Sequence, residues 1–280
     1  MSSSNNGIIS IIISTYNQPD YLKLTLQSIA KQENISFNML EVLIADDGSQ
    51  DDTSNLIKEL IPSYPCQIKH IWHEDLGFRK SAILNKAVAA SVGEYLIFID
   101  GDCVIPADYI SSQLKLRETG YFVAGNRVLM SKEYTTEILR ENIALESLHK
   151  LQWIVLYIKK STNKLLHFVR LPPNSNWRKL RRTNWRYPKG CNIGVSRDDY
   201  IAVNGYDESF SGWGHEDADF FVRLLHNNIY IKDGRFSVPV FHLWHKLNSR
   251  ENEEENMKRL QHRIDDKNLI TAKLGLSQYI

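Results

Sequence analysis

Apolar residues in the first third of the chain come in two alternating rhythms. Short apolar runs at Ile8–Ser14, Glu41–Ala45, Ile68–Trp72 and Tyr95–Ile99 have the length of buried strands. Between them, Pro19–Lys31, Asp51–Leu60 and Arg79–Val92 read as helices, the first with Leu22, Leu26 and Ile29 a turn apart. Acidic residues open the second helix, where the dipole favours them. Strands alternating with helices predict an α/β protein with a doubly wound, mostly parallel central sheet and helices on both faces. Right-handed crossovers then leave ligands to bind outside the carboxyl ends of the strands.

Further along, Glu137–Ile158 reads as an amphipathic helix, and Pro172-Pro173 breaks the chain. Asp207–Trp213 reads as a loop and Glu216–Asn227 as a helix. Val238–His245 is a short strand or extended segment, and a charged, solvated helix follows Arg250. Ser147 to Arg197 stands apart: it holds twelve Lys or Arg residues and no Asp or Glu, interleaved with Trp153, Tyr157, Phe168, Trp177, Trp185 and Tyr187.

Composition narrows the class. With 280 residues, 42% hydrophobic and 24% charged, the chain matches an ordinary globular protein, and a net charge of +1 gives no global field for a polyanion. Cys66, Cys103 and Cys191 suggest neither a disulfide framework nor a zinc ribbon, so a reducing cytosol is expected. The apolar stretch from Ile8 to Ile13 is broken by Ser10 and is too short for a leader or a membrane span; Trp153 to Ile158 is shorter still.

The strand ends carry the candidate chemistry. Ile97-Phe98-Ile99 delivers Asp100 and Asp102 onto a glycine turn at Gly101, and hard divalent cations favour such oxygens. Asp46-Asp47-Gly48-Ser49 ends the second strand in the same way, and Ser14-Thr15-Tyr16-Asn17 the first. Each alone is equally a polar turn with a helix cap.

Taken together, Ile13 to Asn17, Asp46 to Ser49, Gly77-Phe78-Arg79-Lys80 with Asn85, and Asp100-Gly101-Asp102 resemble glycosyltransferase family 2 over about residues 8–125. The resemblance implies the GT-A fold and a nucleotide-sugar donor site built from Thr15, Tyr16, Asn17, Asp46, Asp47, Arg79, Lys80, Asn85, Asp100, Gly101 and Asp102. It places Thr15 and Asp47 beside the nucleoside and Arg79 or Lys80 near base and diphosphate. Asp100 and Asp102 would hold ribose and metal. Gly205-Tyr206-Asp207-Glu208 and Gly212-Trp213-Gly214-His215-Glu216-Asp217 are similar to the acceptor-side segment of β-1,4-galactosyltransferases and bacterial chondroitin-polymerase-type enzymes. There a second glycine is usual where this chain has His215. By that match Asp217 is the general base and Glu216 a partner of sugar hydroxyls, with Trp213, Gly214 and His215 completing the acceptor site. A late histidine completes the metal site in such enzymes. Because His242 and His245 would point to opposite faces of a strand, only one is expected to ligate, and His242 is preferred.

The expected protein is an inverting glycosyltransferase using Mn²⁺ or Mg²⁺, held by Asp100, Asp102 and His242, and a UDP-sugar. Its acceptor would be an oligosaccharide or lipid-linked glycan of lipopolysaccharide, capsule or similar. A retaining transferase and a non-catalytic sugar-binding subunit are rivals; a nucleotidyltransferase would need a glycine-rich, basic signature after the first strand, which Ser14–Pro19 lacks. Residues 1–125 form the donor half, 126–189 a basic aromatic-rich helical insertion, 190–250 the acceptor and catalytic half, and 251–280 a helical tail. The basic segment 147–197 is either a solvated acceptor lid or a surface for anionic lipid, the latter putting a cytoplasmic protein on the inner membrane's cytoplasmic face. No recognised nucleic-acid module accompanies it, so nucleic acid is not an expected partner.

Overall fold

The computed structural model describes residues 7–246 and 252–280. The first half runs β1 (Ile9–Thr15), α1 (Pro19–Ala30), β2 (Leu40–Asp46), α2 (Asp51–Leu60), β3 (Gln67–Trp72), α3 (Lys80–Ala90) and β4 (Tyr95–Asp100). There follow β5 (Cys103–Val104), α4 (Tyr109–Leu116), β6 (Tyr121–Ala124), β7 (Asn126–Leu129), α5 (Lys132–Glu141) and α6 (Lys150–Ile158). The rest comprises β8 (Asn192–Ser196), α7 (Arg197–Ala202), α8 (Glu216–His226), β9 (Tyr230–Asp233), β10 (Pro239–His242) and α9 (Glu253–Asp265).

Seven strands form the main sheet in the order β3-β2-β1-β4-β8-β6-β9, with β8 alone antiparallel to its neighbours. Side-chain alternation along β1 shows how the core divides. Ile9, Ile11 and Ile13 join α1, α2 and α4 in one cluster, whereas Ile12 joins α3, α7 and α8 in a second. Helices therefore cover both faces, and each fully buried Ile or Leu contributes roughly 1.5–3 kcal/mol against exposure. Since β8 and β9 pair with β4 and β6, segments 1–125 and 190–250 share this one sheet.

A second sheet, β5-β10-β7, packs Val104, Phe241 and Val128 into a third cluster with Leu24, Ile138 and Trp153. It matters because pairing of β5 with β10 sets His242 opposite Cys103, next to Asp102.

Two expectations need correction. Glu137–Ile158 is not one helix: Asn142 takes a left-handed φ of +49° and ends α5, and α6 starts only at Lys150. The C-terminal helix is not simply solvated. Leu260 and Asn256 of α9 are buried, and Arg263 donates to Asp207 and Asp219 (both 2.8 Å). A charged sequence read as solvent-facing because its ion-pair partners lie 44 and 56 residues upstream.

Candidate active site

The register of the main sheet brings the first three motifs together. Thr15 pairs with Asp46 and Asp46 with Trp72, while Ser14 pairs with Asp100. Beyond β1, Asn17 adopts φ +50°; its N–H donates to Ser49 Oγ (2.8 Å) and its side-chain oxygen accepts from Gln50 N (2.9 Å). Tyr16 donates to Asp75 (2.8 Å). The turns after β1 and β2 are thus locked to each other.

Asp46 spends its oxygens on Ser49 N and His70 (both 2.8 Å), so it shapes the turn. Asp47 meets His73 (2.7 Å) and accepts from Arg79 N (2.9 Å), which fixes the start of α3. Burial pushes the Asp47 carboxyl up, with His73 and Arg79 opposing. Arg79 donates to the Glu74 carbonyl, while its Nε is buried without a protein partner. Thr15 Oγ1 is buried and unpartnered as well, 3.1 Å from where a side chain on Gly101 would begin. These two buried groups, one at the end of β1 and one at the start of α3, lack protein partners.

Asn85 departs from expectation. Its amide donates to Tyr206 O (2.9 Å) and Glu208 (2.8 Å) and accepts from Tyr200 (2.7 Å) and Tyr206 N (3.0 Å). With two bonds made at the nitrogen and two accepted at the oxygen, no capacity remains for a donor sugar. Asn85 instead ties α3 to the Gly205–Glu208 turn.

Lys80 stands at the centre. Its ammonium lies 2.7 Å from Asp100, which also accepts from Ser14 (2.6 Å). Burial alone would raise the Asp100 carboxyl, but Lys80 and Ser14 outweigh it and hold it low. Burial would likewise lower the Lys80 ammonium, yet Asp100, Asp217 and Glu216 around it keep it protonated. Asp100 is therefore engaged with Lys80, whereas the metal-type donors gather around Asp102.

That second cluster contains Asp102, Cys103 and His242, whose ligand atoms lie within 4.8 Å of one another. His242 Nε2 is 3.7 Å from one Asp102 oxygen, and His245 Nε2 is 3.1 Å from the other. Both histidines converge, with ring centroids 5.3 Å apart. The expectation that only one faces the site fails because β10 ends at His242, and the strand's two-residue period does not extend to His245. Leu243 N donates to Asp102 O (3.0 Å), which pins this turn beside the carboxylate. Within that group Asp102 and His242 offer a carboxylate and an imidazole, Cys103 a thiol, and His245 approaches the other Asp102 oxygen; imidazole beside carboxylate suits Mn²⁺ better than Mg²⁺.

The acceptor-side segment reaches the same place through β8. Asn192 pairs with Ile99, so the loop before β8 lies next to Asp100. From it Gly190 N donates to Asp217 Oδ2 (3.1 Å), while Asp217 Oδ1 is buried with no protein partner. Burial pushes the Asp217 carboxyl up, Lys80 opposes, and Asp100 adds to the rise. Glu216 accepts from Gly214 N (2.9 Å), and burial followed by the Asp217 charge pushes its carboxyl up to about 7. His215 occupies φ +71°, the left-handed region, which explains why a glycine is the usual residue there. Trp213 is half-buried on the same turn.

Several site residues were given no role by the sequence. Ser14 lies within the first strand-end motif yet was assigned nothing, and Gly190 lies outside the motifs named. His73 pairs with Asp47 across 26 residues. The buried Tyr206 hydroxyl, without a protein partner, lies within electrostatic reach of Glu216 and Asp217.

Comparison with known proteins gives consistent matches. The sequence profile of glycosyl transferase family 2 matches residues 10–197, and that described as the N-terminal domain of galactosyltransferase matches residues 177–246. Chondroitin synthase of Escherichia coli is 24% identical over 238 residues, covering 80% of this chain and 33% of that protein. Validoxylamine A glucosyltransferase of Streptomyces hygroscopicus subsp. jinggangensis is 27% identical over 227 residues, 79% of this chain and 52% of that one. Hyaluronan synthase of Pasteurella multocida is 24% identical over 230 residues, 80% and 23% respectively. The chain thus spans from 23% to 52% of the length of these relatives. Among solved structures, residues 1–349 of S. aureus TarS in complex with UDP superpose with a TM-score of 0.63 at 15% identity, over 97% of this chain and 68% of that one. The mannosyltransferase PcManGT of Pyrobaculum calidifontis, in complex with GDP-Man and Mn²⁺, gives a TM-score of 0.53 at 16% identity, over 84% and 56%. The likeness establishes the fold, the GT-A fold implied by the strand-end motifs.

Proposed function

Because the chain belongs to glycosyl transferase family 2, we propose that it moves a hexose or N-acetylhexosamine from a UDP-sugar to a hydroxyl of a surface-glycan acceptor. The reaction is a metal-assisted single displacement with inversion. One observation carries the reading. Asp217, anchored through Oδ2 by the Gly190 N–H and lying beside the Lys80–Asp100 pair at the strand ends, keeps its other, buried carboxylate oxygen, Oδ1, without a protein partner.

In this mechanism Thr15 and the Arg79 guanidinium bind the nucleotide through their unpaired groups. Asp102 and His242, with His245 alongside, would hold a divalent cation, whose chemistry there would be to offset negative charge on the diphosphate. Lys80 balances Asp100 and stabilises the ionised Asp217. Trp213 offers an aromatic face to the acceptor ring, and Glu216 holds one of its hydroxyls. Asp217 takes the proton from the attacking hydroxyl, a role its raised pKa suits.

UDP is favoured over other nucleotides because the neighbour described in complex with UDP superposes with the higher TM-score, 0.63 against 0.53 for the one described with GDP-Man. A polysaccharide acceptor is favoured by relatives named chondroitin synthase and hyaluronan synthase. A panel of nucleotide-sugars with Mn²⁺ and oligosaccharide acceptors tests the reading, with nucleotide release and product linkage as readouts. UDP-hexose consumption and a β-linked product are expected. Asp217→Asn should bind the donor and fail to transfer. Transfer by Asp217→Asn at the wild-type rate would remove the base assignment, and failure with every UDP-sugar would remove the donor assignment.

A further inference from the structure

The segment between residues 147 and 197 does not use its basic and aromatic residues alike. Arg178 is fully buried and donates five hydrogen bonds: to the carbonyls of Pro172, Asp233, Arg235 and Leu171, and to Ser237 Oγ. Trp153 is buried against His167 and Phe241, with ring centroids 4.2 and 4.5 Å away. These residues hold the segment to the body. The exposed apolar side chains lie elsewhere, and their arrangement on α6 is regular.

Leu151, Val155 and Ile158 are 76%, 47% and 73% exposed. Their i, i+4, i+7 spacing sets them in one stripe, on the side of α6 opposite Trp153. A helix apolar on all sides is normally buried on all sides, and here one side packs while the other does not. Lys150 stands at one end of the stripe, Lys159 and Lys160 at the other, and no acidic residue occurs from Ser147 to Arg197. The two acidic residues just upstream are already paired, Glu141 with Arg140 and Glu146 with Lys31. Beside Ile158 an open groove of about 560 Å³ is lined by Leu129, Tyr157, Ile158 and Lys160, among others. Leu129 is registered with His242 across β7 and β10, so this surface adjoins the sheet that carries the histidine cluster.

We propose that the Leu151–Val155–Ile158 stripe of α6 is a docking surface for an anionic lipid bilayer. The stripe enters the boundary between headgroups and acyl chains, and Lys150, Lys159 and Lys160 meet lipid phosphates. The helix lies on the bilayer, since no helix among the described residues is long and apolar enough to cross one. Charge decides the occupant. A second copy pairing about a two-fold axis would bring two sets of lysines together, whereas anionic lipid neutralises them. The proposal concerns a surface outside the transfer site and stands or falls without the donor assignment.

The test is co-sedimentation of the full chain with vesicles of phosphatidylcholine alone and of phosphatidylcholine with phosphatidylglycerol, at low and high salt. Binding is expected only to the anionic vesicles and is expected to weaken with salt. Leu151→Ser, Val155→Ser and Ile158→Ser combined should lower the partition coefficient about tenfold or more. Lys150→Gln, Lys159→Gln and Lys160→Gln combined should remove the salt dependence. Both variants should keep the wild-type circular dichroism and thermal melt. Three results would each overturn the proposal: no wild-type binding to the anionic vesicles, undiminished binding by the serine variant, or self-association in sedimentation velocity that the serine variant abolishes.

Discussion

A methyl group at position 190 tests the catalytic geometry without touching a charged residue. The Cβ of an alanine there would stand 2.0 Å from Asp217 Oδ1 and 2.3 Å from both Cγ and Oδ2. Ordinary carbon–oxygen contacts begin at about 3.3 Å, so the carboxylate must retreat by more than about 1 Å. It also loses its alignment with the Gly190 N–H, now 3.1 Å from Oδ2. Gly190 lies outside the left-handed region, so alanine adds no backbone strain. A misplacement of about 1 Å at a reacting group costs on the order of 100-fold in rate, about 2.7 kcal/mol in the barrier. The fold should lose only about 1–3 kcal/mol, because the obstructing atoms end a side chain that can rotate. The assay is UDP release under saturating donor and Mn²⁺, alongside a thermal melt. Gly190→Ala should lower kcat by about two orders of magnitude while the melt moves by several degrees. Combined with Asp217→Asn it should add little further loss, since both changes remove one function. An alanine variant within twofold of wild type, or losses that multiply in the double variant, would refute the role given to Asp217.

Three other perturbations probe separate parts of the site. The acid limb of kcat/KM should fall as pH drops through the raised pKa values of Asp217 and Glu216, the latter about 7. Lys80→Met removes the cation that lowers both and should move that limb up by about one pH unit; an unmoved limb would show that Lys80 does not set their ionisation. His242→Ala and His245→Ala should each raise the Mn²⁺ concentration for half-maximal binding by at least about tenfold, measured by calorimetry. A normal affinity in His245→Ala would leave His242 as the sole histidine ligand. Arg178→Met strands four carbonyls and should cost about 3–5 kcal/mol in urea unfolding without altering KM for the donor.

Periodicity alone made the first half legible. The strands and helices from Ile9 to Asp100 fall within a few residues of their expected bounds, because each is a local pattern facing one sheet. The carboxylates at strand ends were legible for the same reason: a parallel sheet puts every strand's carboxyl end on one side. The single helix expected over Glu137–Ile158 failed because nothing local announces a left-handed Asn142. Asn85 was misplaced because its four hydrogen bonds reach Tyr200, Tyr206 and Glu208, 115 to 123 residues away. His245 was discounted because the end of β10 is set by pairing with β5 and β7, not by its own sequence.

By itself, then, the sequence determined the sheet, the side of it on which the strand-end motifs gather, and the residue types delivered there. Tertiary structure decided which of those residues still have unpaired groups. Lys80 joins Asp100, both histidines turn to Asp102, and Gly190 leaves Asp217 with one buried oxygen unpartnered. The division has a physical cause. Burial and hydrogen-bond satisfaction arise from contacts between distant segments, and local periodicity carries no information about them.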